Sequence, residues 1–177
     1  MFIYKTKKFI LNNGSECKLV LPDKKYAVDI YKVIVEERLR LAKYLPWVMD
    51  MKSVQDEEQF LEYSIEKIHK EEMMMFIILV DENVAGMIDL HNINRSSKRA
   101  EVGYWLSEKF EGYGIMTQAV DIIEKYSFNE LKLHKLQIRV HPENYKSTSV
   151  PQRLGYFKEA TLVEHEVLNG EYIDLDI

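Results

Sequence analysis

The chain has 177 residues, 46% of them hydrophobic, a length that suffices for one well-buried core but not for two ordinary domains. Its 24 basic and 29 acidic residues leave a net charge of -5, which excludes the broad cationic surface that binds nucleic acid. The single cysteine excludes an internal disulfide, and this cysteine and the histidines show no zinc-site spacing. The start from Met1 to Lys5 has no apolar signal segment, and nowhere do about 18 apolar residues run together, so nothing indicates a membrane. We therefore expect a single cytoplasmic domain over residues 1–177 without a metal.

The N-terminal part predicts extended chain followed by helices. Residues 1–22 read as extended, with a strand from Cys17 to Leu21 that ends at Pro22. Apolar residues then recur at helical spacing up to Pro46, and Ser53 is an N-cap signal for a further helix. The stripes that predict these helices are Tyr26, Ile30, Val33 and Ile34, then Leu39, Leu41 and Leu45, then Phe60, Leu61, Ile65 and Ile68.

Three strands are predicted next, as an antiparallel meander. The apolar run from Met73 to Val80 ends at an Asp-Glu-Asn turn, and a second strand runs from Val84 to Ile93. A polar turn separates it from a third strand at Ala100 to Leu106.

The C-terminal part predicts a loop, two helices and three strands. A glycine-containing loop leads into a long helix with Met116, Ala119, Val120, Ile123 and Tyr126 on one face. A strand at Leu136 to Val140 and a short helix near Ser147 to Leu154 follow. The Asn169-Gly170 turn signal splits the end of the chain into two extended segments.

The passage from the third meander strand to the long helix has the form of an anion site. Glycines allow backbone N–H groups to converge on phosphate oxygens, and the helix directs the positive end of its dipole at the same point. A Gly-x-Gly pair before a helix is a weak signal alone, since such glycines more often serve turn geometry.

Four motifs occur together here. They are Glu101-Val102-Gly103-Tyr104-Trp105-Leu106, Gly112-x-Gly114-Ile115-Met116-Thr117, Asn144-x-x-Ser147 and Leu154-Gly155-Tyr156. In order and spacing they resemble the landmarks of the GNAT acetyltransferases, and they are most similar to the branch of ribosomal-protein N-terminal acetyltransferases. The resemblance covers the chain from about Val84 onward, with weaker support from Leu45-Pro46-Trp47.

The resemblance implies a fold and a donor substrate. The fold is mixed α/β, with a largely antiparallel central sheet of about six or seven strands flanked by helices. The donor is acetyl-CoA, whose diphosphate is expected on the loop from Phe110 to Thr117 and whose acetyl carbonyl is expected beside backbone N–H groups of Trp105 and Leu106. The full set of expected donor contacts is Trp105, Leu106, Lys109, Gly112, Tyr113, Gly114, Ile115, Met116, Thr117, Asn144 and Ser147.

The loop departs from the family pattern at two positions. Glu111 stands where the family usually has Gln or Arg, and Tyr113 stands where a basic residue is common. With less cationic help, the loop is expected to rely on its backbone N–H groups and on Lys109.

The resemblance also implies catalytic residues. The acceptor amine must lose a proton, since an α-amino group titrates near ~8 and a lysine near ~10.4. Glu166 occupies the place of the base in the ribosomal-protein branch, and Glu101, where other branches place a base, is the reserve. Ser147, with Asn144, matches the position that serves the leaving thiolate. The same pair is an ordinary helix N-cap signature, and we expect both roles together.

The sequence leaves the acceptor amine open among a protein N-terminus, a polyamine and an aminoglycoside. A catalytically weak or inactive acyl-CoA-binding module is the alternative function, motivated by Glu111 and Tyr113. A dinucleotide-binding domain is disfavoured because the glycine loop follows an antiparallel meander. The histidines His91, His134, His141 and His165 show no partner pattern for a serine triad. The apolar alternation of Ile173, Leu175 and Ile177 predicts an edge strand that pairs in a homodimer.

Overall fold

The structure is a computed structural model that describes residues 6–177, and it contains eight strands and five α-helices in that range. The strands are Lys7–Ile10 (β1), Glu16–Val20 (β2), Met74–Val80 (β3), Asn83–Asn94 (β4), Arg99–Leu106 (β5), Lys135–Gln137 (β6), Thr161–Leu168 (β7) and Glu171–Asp176 (β8). The helices are Ala27–Glu36 (α1), Arg38–Leu41 (α2), Val54–His69 (α3), Ile115–Asn129 (α4) and Tyr145–Arg153 (α5). The expectation about an apolar signal segment at Met1 to Lys5 lies outside the described residues.

Six strands form one sheet in the order in which they occur along the chain. The pairs from β1 to β5 are antiparallel, and β5 and β6 are parallel because α4 crosses over between them. Every residue of β3 is buried, which explains its unbroken apolar run. The mixed α/β fold that the motifs imply is confirmed.

Each face of the sheet carries its own core. On one face Phe76, Ile78 and Ile88 pack with the buried side of α4. On the other face Ile77, Met87 and Trp105 pack with residues of α1, α2 and α3. The period-2 alternation of the strands therefore divides their side chains between two separate helical layers.

Four local details differ from the expectation. Residues before Pro22 form a two-stranded hairpin, because a turn closed by the Leu11 N–H and the Ser15 carbonyl interrupts the extended chain. The helical stripe that ends at Pro46 is broken after Leu41, and a 3-10 turn follows at Pro46–Met49. The β6 strand is shorter than expected. The last two strands pair with each other in a separate sheet, since apolar alternation does not specify which partner a strand takes.

The two sheets meet at one point. Val140, three residues after β6, forms an antiparallel bridge to Asp176 of β8. The chain that would continue β6 alongside β5 is therefore paired with the β7–β8 hairpin instead. Within residues 6–177, no helix is both long and apolar enough to span a membrane.

A buried carboxyl group in α3 gives the first testable prediction. Glu57 is 1% exposed, and its Oε1 atom has no hydrogen-bond partner in the described part of the chain. Burial raises the pKa of Glu57 from 4.5 to about 7. The folded state thus binds this proton more tightly than the unfolded state, so its contribution to stability is present below pH 4.5 and is lost as the pH rises to about 7.

We expect Glu57→Gln to be more stable than the wild type at pH 8, by on the order of 3 kcal/mol at most, and to differ little at pH 4. Urea unfolding at the two pH values measures the difference. Glu62→Gln, which alters an exposed carboxylate paired with Lys24, is the control and should change stability little at either pH. Equal stability of Glu57→Gln and the wild type at pH 8 contradicts a pKa of Glu57 that burial has raised.

Candidate active site

A wedge opens between β5 and β6 in the middle of the six-stranded sheet. Only three residue pairs join these strands, and the last is Glu101 with Gln137. Beyond that pair β5 continues to Leu106, whereas the chain after β6 turns toward β8. One edge of residues 102–106 therefore lacks a neighbouring strand within the described structure.

The backbone of β5 presents hydrogen-bonding groups to this wedge. The Ser107 N–H donates to the Ala85 carbonyl oxygen over 2.7 Å. In the antiparallel β4–β5 pair this bond determines which residues of β5 direct their backbone groups toward β4 and which direct them away. Tyr104 and Leu106 accordingly direct their backbone N–H groups away from β4 and into the wedge. Such groups require a partner from water or from a bound molecule.

The alternation corrects one expectation about the donors. Trp105 lies opposite Met87 in the register, so its backbone N–H faces β4 rather than the wedge. Its indole packs in the core between the sheet and α1 to α3, 6.5 Å from the ring of Trp47. Tyr104 takes the place of Trp105 as a backbone donor, and Leu106 keeps the expected orientation.

The glycine loop and the start of α4 lie next along the chain. Gly112 and Gly114 have φ values of 83° and 74°, a left-handed conformation that other residues adopt at a cost. Gly114 occupies the N-cap position of α4, and no side chain caps the helix. The first N–H groups of α4, at Ile115, Met116 and Thr117, therefore remain available at the positive end of the helix dipole. These features make the loop suitable for an anion.

The charged residues near the loop form a network that the sequence did not predict. The Glu111 carboxylate pairs with Arg40 over 3.1 Å and with Lys146, and so connects the loop to α2 and to the first turn of α5. Arg40 also donates to the Leu106 carbonyl oxygen over 2.8 Å and binds Glu37. The acidic residue in the place of the family Gln or Arg therefore holds two cations beside the wedge.

Glu37 fixes the other end of this network. Its carboxylate accepts hydrogen bonds from the Ser107 hydroxyl, the Glu108 backbone N–H and Arg40. Burial raises the pKa of Glu37, but these hydrogen bonds outweigh it and hold the pKa below the ordinary value. An ionised Glu37 keeps α1 and α2 attached to the end of β5.

Two other basic residues lie near the loop in different arrangements. The ammonium group of Lys109, expected to assist the diphosphate, lies 2.9 Å from the Glu36 carboxylate and so faces α1. The Arg153 guanidinium lies 3.5 Å from the Thr117 hydroxyl in the first turn of α4. Arg153 therefore supplies positive charge at the loop where Glu111 and Tyr113 do not.

The motif pair Asn144 and Ser147 meets the central strand on the face of the sheet that carries α4. The Asn144 Oδ1 atom accepts a hydrogen bond from the Ser147 N–H, 3.3 Å away, and caps α5. The Tyr104 hydroxyl donates to the Ser147 carbonyl oxygen over 2.9 Å and accepts from the Ser147 hydroxyl over 3.3 Å. Burial raises the pKa of Tyr104 to about 12, so its hydroxyl keeps its proton. A polarised serine hydroxyl is thus held beside the wedge.

The two candidate bases lie in different sheets. Glu101 is the β5 residue of the last β5–β6 pair, and its carboxylate is held by the Arg139 guanidinium, whose Nε atom is 2.7 Å away. Glu166 is exposed on β7, in register with Ile173. Their positions in the sequence alone could not show which one is the base, because the two carboxylates differ in the side chains that they contact.

Sequence reasoning missed a further polar pair on β4. Asp89 and His91 lie two residues apart on one face of the strand, and their side chains are in contact. The signal was available, since a period of two places such residues side by side in any strand. Within residues 6–177, no group of three or more His, Cys, Asp or Glu side chains forms a candidate metal site.

Comparisons with known proteins relate the chain to one family of enzymes. The sequence profile of the acetyltransferase (GNAT) domain matches residues 19–156. The crystal structure of the microcin C7 self-immunity acetyltransferase MccE, in complex with acetyl-CoA and AMP, superposes with a TM-score of 0.84 at 28% sequence identity and covers 90% of this chain and 89% of that one.

Three named relatives are similar in sequence. The putative ribosomal N-acetyltransferase YdaF of Bacillus subtilis (strain 168) is 39% identical over 98 residues, 55% of this chain and 54% of that protein. The ribosomal-protein-serine acetyltransferase of Escherichia coli (strain K12) is 27% identical over 84% of this chain and 83% of its own. The spermidine N(1)-acetyltransferase of the same strain is 32% identical over 59% and 56%. The chain thus spans about half the length of the first and third relatives and most of the second.

Proposed function

The chain belongs to the GNAT family of acetyltransferases, whose domain profile matches residues 19–156, and we propose that it transfers the acetyl group of acetyl-CoA to a primary amine. The observation that carries this proposal is the wedge, where unpaired backbone groups of β5 lie between an anion-binding loop and the Ser147 hydroxyl. The reaction is direct attack by the amine on the thioester, and it requires neither a covalent enzyme intermediate nor a metal.

The residues around the wedge fit acetyl-CoA along its length. The N–H groups at the start of α4, with Arg153 beside Thr117, suit the diphosphate. The open edge of β5 suits the amide groups of the pantetheine arm, which hydrogen-bond to a backbone as another strand does. Backbone N–H groups of Tyr104 or Leu106 stabilise the negative charge that develops on the acetyl carbonyl oxygen. Bound acetyl-CoA supplies the activated acetyl group.

Ser147 serves the departing sulfur. Its hydroxyl is 3.3 Å from the Tyr104 oxygen and can turn to donate to a thiolate in the wedge. Asn144 supports this role as a positioning residue, because its cap fixes the first turn of α5 and with it the Ser147 backbone.

The proton of the amine needs an acceptor, for which the family resemblance offers Glu166 and Glu101. The Glu101 carboxylate is engaged by Arg139. Glu166 is exposed on the β7–β8 hairpin, so it can exchange a proton directly with bulk water. The hairpin contacts the end of α2, where the Asn169 amide donates to the Ala42 carbonyl oxygen over 3.3 Å.

The acceptor that we propose is a protein N-terminus, with a polyamine as the alternative. Similar proteins carry the names ribosomal-protein-serine acetyltransferase and spermidine N(1)-acetyltransferase, and both names describe acetylation of amines. The region between α2 and the hairpin suits a peptide, since it is bordered by aromatic rings such as Tyr44, which lies 5.5 Å from His141, and Trp47, which is 36% exposed. An aminoglycoside stays an open alternative.

The proposal includes a single domain in the cytoplasm. Cys17 is fully buried as a free thiol, and burial raises its pKa to about 12. Such a thiol is unreactive and suits a reducing compartment.

The acetyl-transfer proposal makes a prediction about Ser147. Acetyl-CoA binds only the folded state, so it should raise the melting temperature, and release of CoA should follow when an N-terminal peptide or spermidine is added. We expect Ser147→Ala to lower kcat at least about tenfold and to keep the acetyl-CoA stabilisation, because the backbone that caps α5 is unchanged.

Ser149→Ala is the matched control on the same helix and should keep full activity, since its hydroxyl bonds only the Lys146 carbonyl oxygen. Stabilisation by acetyl-CoA without turnover of any amine would favour the inactive binding module that Glu111 and Tyr113 suggest. Stabilisation by NAD but not by acetyl-CoA would contradict the proposed function.

We further expect a homodimer through the β7–β8 hairpin. Val163 and Tyr172 on this hairpin are 74% and 71% exposed, and Phe157 just before it is 79% exposed, so these side chains are available to a partner chain. Light scattering after size exclusion should give twice the chain mass, and Val163→Asp should shift the equilibrium toward monomer. A wild-type monomer at micromolar concentration would rule the dimer out.

A further inference from the structure

A half-buried polar cluster covers one side of β5 where the wedge begins. Asp89 and His91 project from β4 toward the helical layer of α1 to α3. The alternating residues Ile88 and Leu90 project to the opposite side and pack in the core with α4. Across the strand pair, Asp89 lies opposite Gly103 and His91 lies opposite Glu101. Arg139, just after β6, completes the cluster through its ion pair with Glu101.

Gly103 allows this cluster to rest directly on the backbone of β5. A Cβ atom at position 103 would lie 3.0 Å from Asp89 Oδ2 and 3.2 Å from His91 Cε1, both closer than ordinary contact. Gly103 is also the second residue beyond the last β5–β6 pair. The imidazole therefore lies over the strand at the closed end of the wedge.

The two faces of β5 at this point carry complementary groups. Tyr104, the next residue, projects to the α4 face and binds Ser147, the group proposed for the departing sulfur. The Asp89–His91 pair lies on the other face, from which an amine can approach the same point of the wedge. An acyl group held along residues 103–106 is thus bordered by a hydroxyl donor on one side and an imidazole on the other.

Hydrogen bonding assigns a role to each imidazole nitrogen. Nδ1 lies 2.5 Å from Asp89 Oδ1, so Nδ1 carries the proton that the carboxylate accepts. In the neutral ring Nε2 then has a free lone pair. The groups that face the imidazole are Asp89 on β4, Glu101 on β5, whose Oε2 is 3.7 Å from Nε2, and Arg139 after β6.

Glu101 is less suited than His91 to accept the proton. Its Oε2 atom already accepts hydrogen bonds from both Nε and Nη2 of Arg139. These two bonds orient the Glu101 carboxylate toward Arg139. His91 has Asp89 to stabilise its charged form, and its Nε2 lies 3.7 Å from Glu101 Oε2, beyond hydrogen-bond distance.

On the basis of the proposed function, we infer that His91, held by Asp89 over Gly103, is the group that accepts the proton of the attacking amine. As the nitrogen–carbon bond forms and the carbon–sulfur bond breaks, the amine proton passes to Nε2, and the electron pair of the broken bond leaves with the sulfur. Asp89 stabilises the imidazolium, which then returns its proton to water. Asp89 acts through His91 and is a positioning residue.

The titration of His91 tests the arrangement without an assay of activity. The hydrogen bond with Asp89 is the largest cause of a pKa of His91 above its ordinary value, while burial and Arg139 lower it and Glu101 raises it. We expect the NMR titration midpoint of the His91 Cε1–H signal to lie above 6.5 in the wild type and to fall in Asp89→Asn. Equal midpoints in the two proteins would overturn the inference.

Kinetics test the catalytic role. His91 must be neutral to accept a proton, so kcat should rise with pH through the titration midpoint of His91. This rising limb of the pH profile should stay at the same pH when an acceptor with a different amine pKa is used. Asp89→Asn should shift the limb to lower pH, and His91→Gln should abolish it and lower kcat about 100-fold. Stabilisation by acetyl-CoA should persist in both variants, since both residues lie on β4 whereas the diphosphate is expected on the glycine loop.

Two control variants separate the alternatives. His134→Gln alters an exposed histidine outside the wedge and should leave kcat and the limb unchanged. Glu166→Ala removes the other candidate base and so tests the alternative assignment directly. Loss of the limb in Glu166→Ala, with normal activity in His91→Gln, would overturn the inference in favour of Glu166. Absence of acetyl-CoA stabilisation in the wild type would instead overturn the proposed function itself.

Discussion

The separation of β5 from β6 is the constraint on which the site depends. Parallel strands must be joined by a crossover, and here α4 supplies it. After three residue pairs the chain beyond β6 bridges to β8 through Val140, which leaves the end of β5 without a strand on that side. Because only residues 107–114 separate β5 from α4, the open edge of β5 and a helix end suited to an anion lie close together in the chain.

Electrostatic contacts hold the structure around this opening. Glu37, Arg40 and Glu111 form a chain from α1 and α2 to the glycine loop, and Lys146 extends it to α5. Position 111 departs from the Gln or Arg of the family pattern that the motifs resemble. Here an acidic residue orders two cations contributed by helices on either side, and Arg153 adds a third beside Thr117. The departure in sequence therefore redistributes positive charge around the loop rather than removing it.

The sequence predicted the elements whose signals are local. The buried run of β3, the Ser53 N-cap of α3 and the strand-loop-helix order around Gly112 and Gly114 all reflect the conformations of neighbouring residues. It could not predict that β7 and β8 form their own sheet, because alternation does not name a partner strand. Nor could it predict the Arg40–Glu111 pair or the meeting of Tyr104 with Ser147, which join residues 71 and 43 positions apart. The period of two in a strand could have predicted that Asp89 and His91 lie side by side. It could not predict that they lie over Gly103 on the opposite strand.

The central claim is that acetyl-CoA occupies the wedge along β5, and backbone hydrogen exchange tests it most directly. With acetyl-CoA added, the amides of Tyr104 and Leu106 and those at the start of α4, Ile115, Met116 and Thr117, should exchange more slowly, since the ligand supplies partners to groups that otherwise face water. NAD at the same concentration should have no such effect. Protection confined to other segments, or none at saturating acetyl-CoA, would contradict the assignment of the wedge as the donor site.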